Sequence, residues 1–178
     1  SYEIRVSSDM SSLKKGKNLV WHSGKVQSDQ SVFIKYNGKT LKPAEKYFWQ
    51  VRVWDNFGNR SQWSTASSFQ MGFLKEQDWK TKWIVKGFYD ASGASPIFRK
   101  EFTVTKKIRT ARVFITARGM YEGAINGSRL GDAFFTPGWT SYNNRLQYQV
   151  YDVTNMLKKG RNAIGITLGN GWYKGVLG

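Results

Sequence analysis

Leu41-Lys42-Pro43-Ala44-Glu45-Lys46-Tyr47-Phe48-Trp49-Gln50-Val51-Arg52-Val53 is the most informative stretch of the chain. From Tyr47 on, Tyr47, Trp49, Val51 and Val53 recur with a period of two opposite Gln50 and Arg52, the pattern of a half-buried strand. Outward from it the same period returns. Ala111, Val113, Ile115 and Ala117 stand opposite Arg112, Thr116 and Arg118, and Ile164, Ile166 and Leu168 make a third row. Turn clusters separate the runs: Asn37-Gly38, Asp55-Asn56-Phe57-Gly58-Asn59, Ser92-Gly93, Asn126-Gly127 and Lys159-Gly160. Asn126-Gly127 directly follows the strand Tyr121 to Ile125 and predicts a tight hairpin of the primed type. Helical turns are expected only at Ser8 to Lys15 and Thr154 to Lys158. Many short strands at regular spacing predict an all-β chain built of β-sandwiches.

The composition agrees. Of 178 residues 16% are aromatic, and flat rings pack well on a pleated surface. No apolar run approaches a bilayer's thickness, so no membrane span is expected. Cysteine is absent, which excludes disulfides and thiolate chemistry, and His22 is the sole histidine, which excludes multi-histidine zinc sites. The net charge of +16 makes nucleic acid, anionic polysaccharide or a membrane surface worth weighing. The bases come as pairs in turns (Lys14-Lys15, Lys106-Lys107, Lys158-Lys159) or alternate with apolar residues in strands. That pattern favours solvated faces over a nucleic-acid groove.

Little chemistry is assembled by the sequence alone. Glycosidic hydrolysis needs two facing carboxylates, and the acids number twelve. Asp55, Asp90, Asp132 and Asp152 fall in turns or strand ends, where a structural role suffices. Glu122, beside Tyr121 in the strand before the hairpin, is the one carboxylate to watch. Gly169-Asn170-Gly171-Trp172-Tyr173-Lys174-Gly175 fails as a dinucleotide loop, since position 174 is lysine and no helix follows. Asn59-Arg60-Ser61 and Asn126-Gly127-Ser128 match a glycosylation pattern but read equally well as turns. His22, after Trp21 in a strand-like stretch, reads as a structural histidine.

The L-x-P-x-x-x-Y pattern of Leu41 to Tyr47 and the strand after it resemble fibronectin type III domains, in which the corner tyrosine turns its hydroxyl back to an upstream backbone group. Trp63 is expected to open the final strand of that domain. By this resemblance Tyr2 to Ser7 is the third strand, so the first two strands of a complete domain are missing and Ile4, Trp49 and Val51 need another cover. The boundary is placed near Gly72, where the strand Ser67 to Met71 ends. Phe73 to Lys82 reads as a linker carrying Trp79.

The second segment has a longer ordered series: Tyr121-Glu122-Gly123-Ala124-Ile125-Asn126-Gly127-Ser128-Arg129-Leu130-Gly131-Asp132, then Thr136-Pro137-Gly138-Trp139-Thr140-Ser141-Tyr142, then Arg145, Tyr148, Tyr151-Asp152-Val153-Thr154, Leu157, Gly160, Asn162 and Leu168-Gly169-Asn170-Gly171-Trp172-Tyr173. With Trp21-His22-Ser23-Gly24-Lys25-Val26 and Tyr47 to Asp55, it resembles the N-terminal region of bacterial α-L-rhamnosidases of glycoside hydrolase family 78. The resemblance covers nearly the whole chain. It implies a fibronectin type III-like (immunoglobulin-like) domain at 1–72 lacking its first strands, and a partial, jelly-roll-like β-sandwich at 73–178 truncated at its C-terminus.

In that family the catalytic carboxylates lie in a downstream helical barrel. This chain is therefore expected to hold no catalytic residue, to be inactive by itself, and to serve as an accessory region of an enzyme that removes terminal α-L-rhamnose with inversion. The expected partners are that barrel and rhamnose-containing glycans, in the periplasm or outside the cell. Self-association through incomplete sandwiches is a further expectation. Some related domains bind terminal rhamnose through calcium, with an Asp-Asn pair ahead of the strand leading to the hairpin. Here Ala117-Arg118-Gly119-Met120 carries no carboxylate, so no cofactor or metal site is expected. Trp139, Tyr142, Trp172 and Tyr173 in glycine-flanked loops, with Asn126 and Glu122, are the candidates for sugar stacking or domain packing, and packing is favoured. Two alternatives make different predictions. A stand-alone carbohydrate-binding module predicts Trp139 or Trp172 exposed in a concave site. A basic nucleic-acid-binding sandwich predicts one contiguous basic face, which scattered lysine pairs argue against.

Overall fold

A computed structural model describes residues 1–87 and 93–174; the turn expected at Ser92, Asp90, and Gly175 lie outside the described residues. The chain is all-β and divides into two compact units, Ser1–Trp83 and Ile84–Gly178.

Unit 1 is built on one antiparallel sheet in the order β2-β1-β3-β4, with β1 Tyr2–Ser7, β2 Trp21–His22, β3 Lys46–Val53 and β4 Ser67–Gln70. The expected early helical turn is α1, Met10–Lys15. Asp9 caps it by accepting from the Ser12 N–H, and Gly16 ends it in the left-handed conformation. At the head of β3 the corner forms as expected. Tyr47 is buried, and its hydroxyl accepts the Lys42 N–H at 2.9 Å. Trp63 does not open the last strand, which starts at Ser67. The stretch before it is tied to β3 through two serines: the Ser61 N–H donates to the Val53 carbonyl and the Ser64 N–H to the Val51 carbonyl, and their hydroxyls accept the Val53 and Val51 N–H groups. That frees Trp63 to lie under two guanidiniums, 4.0 Å from Arg5 and 4.4 Å from Arg52.

The two faces of this sheet invert the usual order. β1 and β3 pair Arg5 with Gln50 and Glu3 with Arg52. On that polar face Glu3, Arg5 and Gln50 are buried. Glu3 accepts from Arg52 Nε at 2.6 Å and bonds the His22 ring, and Arg5 donates to Gln50 at 2.9 Å. Buried charge survives here because each group has a partner and the arginines lie on an indole. The apolar face, with Tyr2, Ile4, Trp21, Trp49, Val51 and Val53, instead lines an open trough of about 720 Å³, at whose rim Phe33 is 95% exposed. This is the face that the sequence reads as wanting a cover.

Unit 2 is a sandwich. Strands β5 Ile97–Val104, β10 Gly160–Gly169, β7 Met120–Ile125 and β8 Ser128–Arg129 form one sheet in that order, and β6 Arg112–Ile115 pairs with β9 Gln149–Asp152 in the other. Ile125, Leu130 and Val153 are buried between them, packed with Val113 and Tyr151 from the small sheet and Ile164 and Ile166 from the large one. The predicted hairpin joins β7 to β8, with φ of 51° at Asn126 and 86° at Gly127, both positive as a type I′ turn demands. The second expected helical turn is a short 3₁₀ turn, Thr154–Met156.

Candidate functional site

At the start of β7, glycine decides the geometry. Gly119 has φ of +89°, and a Cβ there would stand 2.5 Å from the Gly169 carbonyl oxygen. Without that atom, the chain leaving β10 lies against the start of β7 and turns through a 3₁₀ segment, Gly171–Tyr173. On the other side Thr136 grips β7 twice. Its carbonyl accepts the Tyr121 N–H and its hydroxyl donates to the Tyr121 carbonyl, both at 2.8 Å. Gln149 also donates to the Pro137 carbonyl at 3.1 Å. The 134–142 loop and the 171–173 turn are thereby brought to one place.

The rings in these loops meet. The Trp139 and Trp172 indoles stack with centroids 5.9 Å apart and planes 5° from parallel, and Phe135 approaches Trp172 edge-on at 6.2 Å. Tyr142 and Tyr173 form an edge-to-face pair at 5.4 Å. Arg118 donates to the Tyr173 hydroxyl at 3.1 Å and lies over its ring. Trp139 is 56% exposed, with Phe134 and Phe135 exposed beside it, while the Tyr142 hydroxyl is buried without a hydrogen-bond partner. Four of the six residues singled out from sequence thus form one cluster. Phe135 and Arg118 belong to it too. Neither sits in a periodic row facing the others, so only the fold could bring them in.

Asn126 and Glu122 serve elsewhere. The Asn126 amide donates to the Met156 carbonyl and to Asn162, both at 2.9 Å, and accepts the Ala163 N–H at 3.0 Å. It staples the hairpin to β10. Glu122 is exposed and pairs with Arg129 at 3.3 Å.

The Glu3, Glu122 and Asp152 carboxyls are tied to basic or turn partners. Among the described residues, the three carboxyls whose pKa departs from its ordinary value all move down. Burial pushes the Glu3 carboxyl up, and the bonds from Arg52 and His22 outweigh it and hold it below the usual range. Asn59 lowers Asp55, and Arg99 with Arg161 lowers Glu101. Asp152 accepts from the Thr154 N–H and hydroxyl, as a turn acid should. Among the described residues no group of three or more His, Cys, Asp or Glu side chains could hold a metal ion. No described helix is long and apolar enough to cross a membrane.

Comparison with known proteins gives the family. Residues 1–75 match the Rha78A-like, N-terminal immunoglobulin domain, and residues 106–178 match the α-L-rhamnosidase N-terminal domain. An α-L-rhamnosidase of Formosa agariphila is 38% identical over the whole chain, which covers 20% of that protein; one from Alteromonas sp. is 37% identical over 98% of the chain, again 20% of its length. Among solved structures, the α-L-rhamnosidase from Dictyoglumus thermophilum superposes with a TM-score of 0.91 at 42% identity, over 97% of this chain and 21% of that one. The α-L-rhamnosidase from Aspergillus terreus superposes with a TM-score of 0.79 at 36% identity, over 99% and 20%. The chain spans about a fifth of the length of these relatives, and with both of its domains matched in order it belongs to the α-L-rhamnosidase family, corresponding to its N-terminal region.

Proposed function

We propose that this chain is the accessory region of an enzyme that removes terminal α-L-rhamnose from rhamnosides, by inverting hydrolysis with a general acid and a general base supplied outside these 178 residues. What supports the reading is the match of both domains to rhamnosidase N-terminal domains, together with carboxyls that are tied into ion pairs and turns. The cluster of Trp139, Trp172, Tyr142 and Tyr173 is then the face that packs against the rest of the enzyme. One face of each indole is already taken by the other, and a buried, unpaired Tyr142 hydroxyl suits a surface completed by a neighbouring chain segment. The open trough of unit 1 is a second surface of association, with another stretch of the enzyme or with a second copy. No cofactor is assigned, and the work is placed in the periplasm or outside the cell, where rhamnose-containing glycans are met.

The test is turnover of an aryl α-L-rhamnoside. The 178-residue chain is expected to leave it intact, and a longer polypeptide carrying it to hydrolyse it. In that polypeptide, Trp139→Ala with Trp172→Ala lowers the melting temperature while leaving KM for the aryl substrate within about twofold. Turnover by the isolated chain contradicts the reading.

A further inference from the structure

Two lysine pairs far apart in sequence are brought to the same end of one sheet. In β5 and β10, Val104 pairs with Gly160 as the last antiparallel partners, so Thr105 to Thr110 leaves the sheet at the end where Lys158-Lys159 enters it. Both segments are fixed at their roots. The buried Asn162 accepts the Lys158 N–H at 3.0 Å and donates to the Lys158 and Gly160 carbonyls at 2.8 and 2.9 Å. The other end of the 105–110 loop is held by Ala111, whose N–H donates to Thr154 Oγ1 and whose carbonyl accepts the Val153 N–H, both at 3.0 Å. Lys106, Lys107, Arg109, Lys158 and Lys159 are all exposed. The acids on the neighbouring strands are engaged already, Glu101 with Arg99 and Arg161 and Asp152 with Thr154. Five cations therefore stand on one tip anchored at its roots, with little local acid to offset them.

We infer that this tip of unit 2, formed by Lys106, Lys107, Arg109, Lys158 and Lys159, is a docking point for an anionic polysaccharide. Point charges on lysine suit a polymer whose carboxylates or sulfates are spaced along a hydrated chain, because no fixed fork geometry is demanded. A single-stranded nucleic-acid surface would also need aromatic rings among the bases, and Thr105-Lys106-Lys107-Ile108-Arg109-Thr110 and Lys158-Lys159-Gly160 carry none. The choice of a glycan over other polyanions rests on the accessory-region reading above. The docked polymer would be held beside the enzyme by charge, so attraction is long-ranged and salt-sensitive.

The experiment is affinity electrophoresis of the 178-residue chain in gels holding polygalacturonate, dextran sulfate, neutral dextran or duplex DNA, at rising salt. Retention by one or both anionic polysaccharides is expected, with none by neutral dextran, and it should weaken steeply toward physiological salt. Whichever polymer retains more strongly identifies carboxylate or sulfate as the ligand group. K106E/K107E/K158E/K159E should weaken retention at least tenfold. K17E/K35E/K39E/K42E, with the same change of net charge on exposed lysines of unit 1, should change it less than threefold. The four tip lysines changed to arginine keep retention, which separates lost charge from lost folding. Equal losses in both glutamate variants, or no retention at low salt, overturn the inference. So does equal retention by duplex DNA with the same variant pattern. Failure of the accessory-region reading shows separately, as an aryl rhamnoside left intact by the longer polypeptide.

Discussion

Replacing Glu3 with glutamine strikes the polar face of unit 1 at its only described acid. Glu3 lies between the Arg52 guanidinium, at 2.6 Å, and the His22 ring, and its side chain is 7% exposed. Removing one member of a buried ion pair costs ~3–5 kcal/mol, because the remaining charge is left desolvated. Here Arg52 keeps 20% exposure and a stack on Trp63, and glutamine retains an accepting oxygen, so the loss is smaller. About 1.5–3 kcal/mol is expected at pH 7. The sign of the pH dependence follows from the lowered Glu3 pKa. The carboxylate's contribution is full above the unfolded carboxyl pKa and is lost as pH falls through the folded one. Urea unfolding followed by tryptophan emission reads this directly, since six of the eight tryptophans lie in unit 1. The gap between wild type and Glu3→Gln should be widest at pH 7 and should shrink markedly by pH 3. A gap under about 0.5 kcal/mol at pH 7, the scale of an exposed pair, would refute the reasoning, as would a gap unchanged at pH 3.

Other outcomes follow from single positions. Tyr47→Phe deletes the acceptor of the Lys42 N–H and should cost unit 1 about 1–2 kcal/mol in the same urea experiment, with tryptophan emission of the folded state unchanged. Gly119→Ala must place a Cβ against the Gly169 carbonyl at positive φ; a loss above about 2 kcal/mol is expected. The near-ultraviolet circular dichroism of the Trp139–Trp172 pair should fall with it, while β-sheet signal persists.

The parts that the sequence made legible are those written locally. Asn126-Gly127 specifies its own turn, and Tyr47 at the head of an alternating strand specifies its own corner. The parts that were not legible depend on pairing between distant strands. Trp63 reads as a strand opener by resemblance to the fibronectin type III fold, yet arginines on β1 and β3 claim its ring. Period-two alternation marked the polar face of β3 as the outward one; Glu3, Arg5 and Gln50 bury that face through ion pairs and hydrogen bonds that no periodicity encodes. Trp139, Tyr142, Trp172 and Tyr173 could each be singled out as rings in glycine-flanked loops. Their convergence rests on Gly119 and the Thr136 bonds to β7, which come from elsewhere in the chain. The lysine pairs read as scattered because the register joining Val104 to Gly160 is a property of the sheet.

The central claim, an accessory region whose aromatic cluster is a packing face and not a sugar site, is tested most directly by calorimetric titration of the chain with L-rhamnose, with calcium and then with chelator. The account predicts no heat of binding at millimolar sugar in either condition. A saturable heat that disappears in Trp139→Ala or Trp172→Ala would contradict it and make the stacked indoles a carbohydrate-binding site.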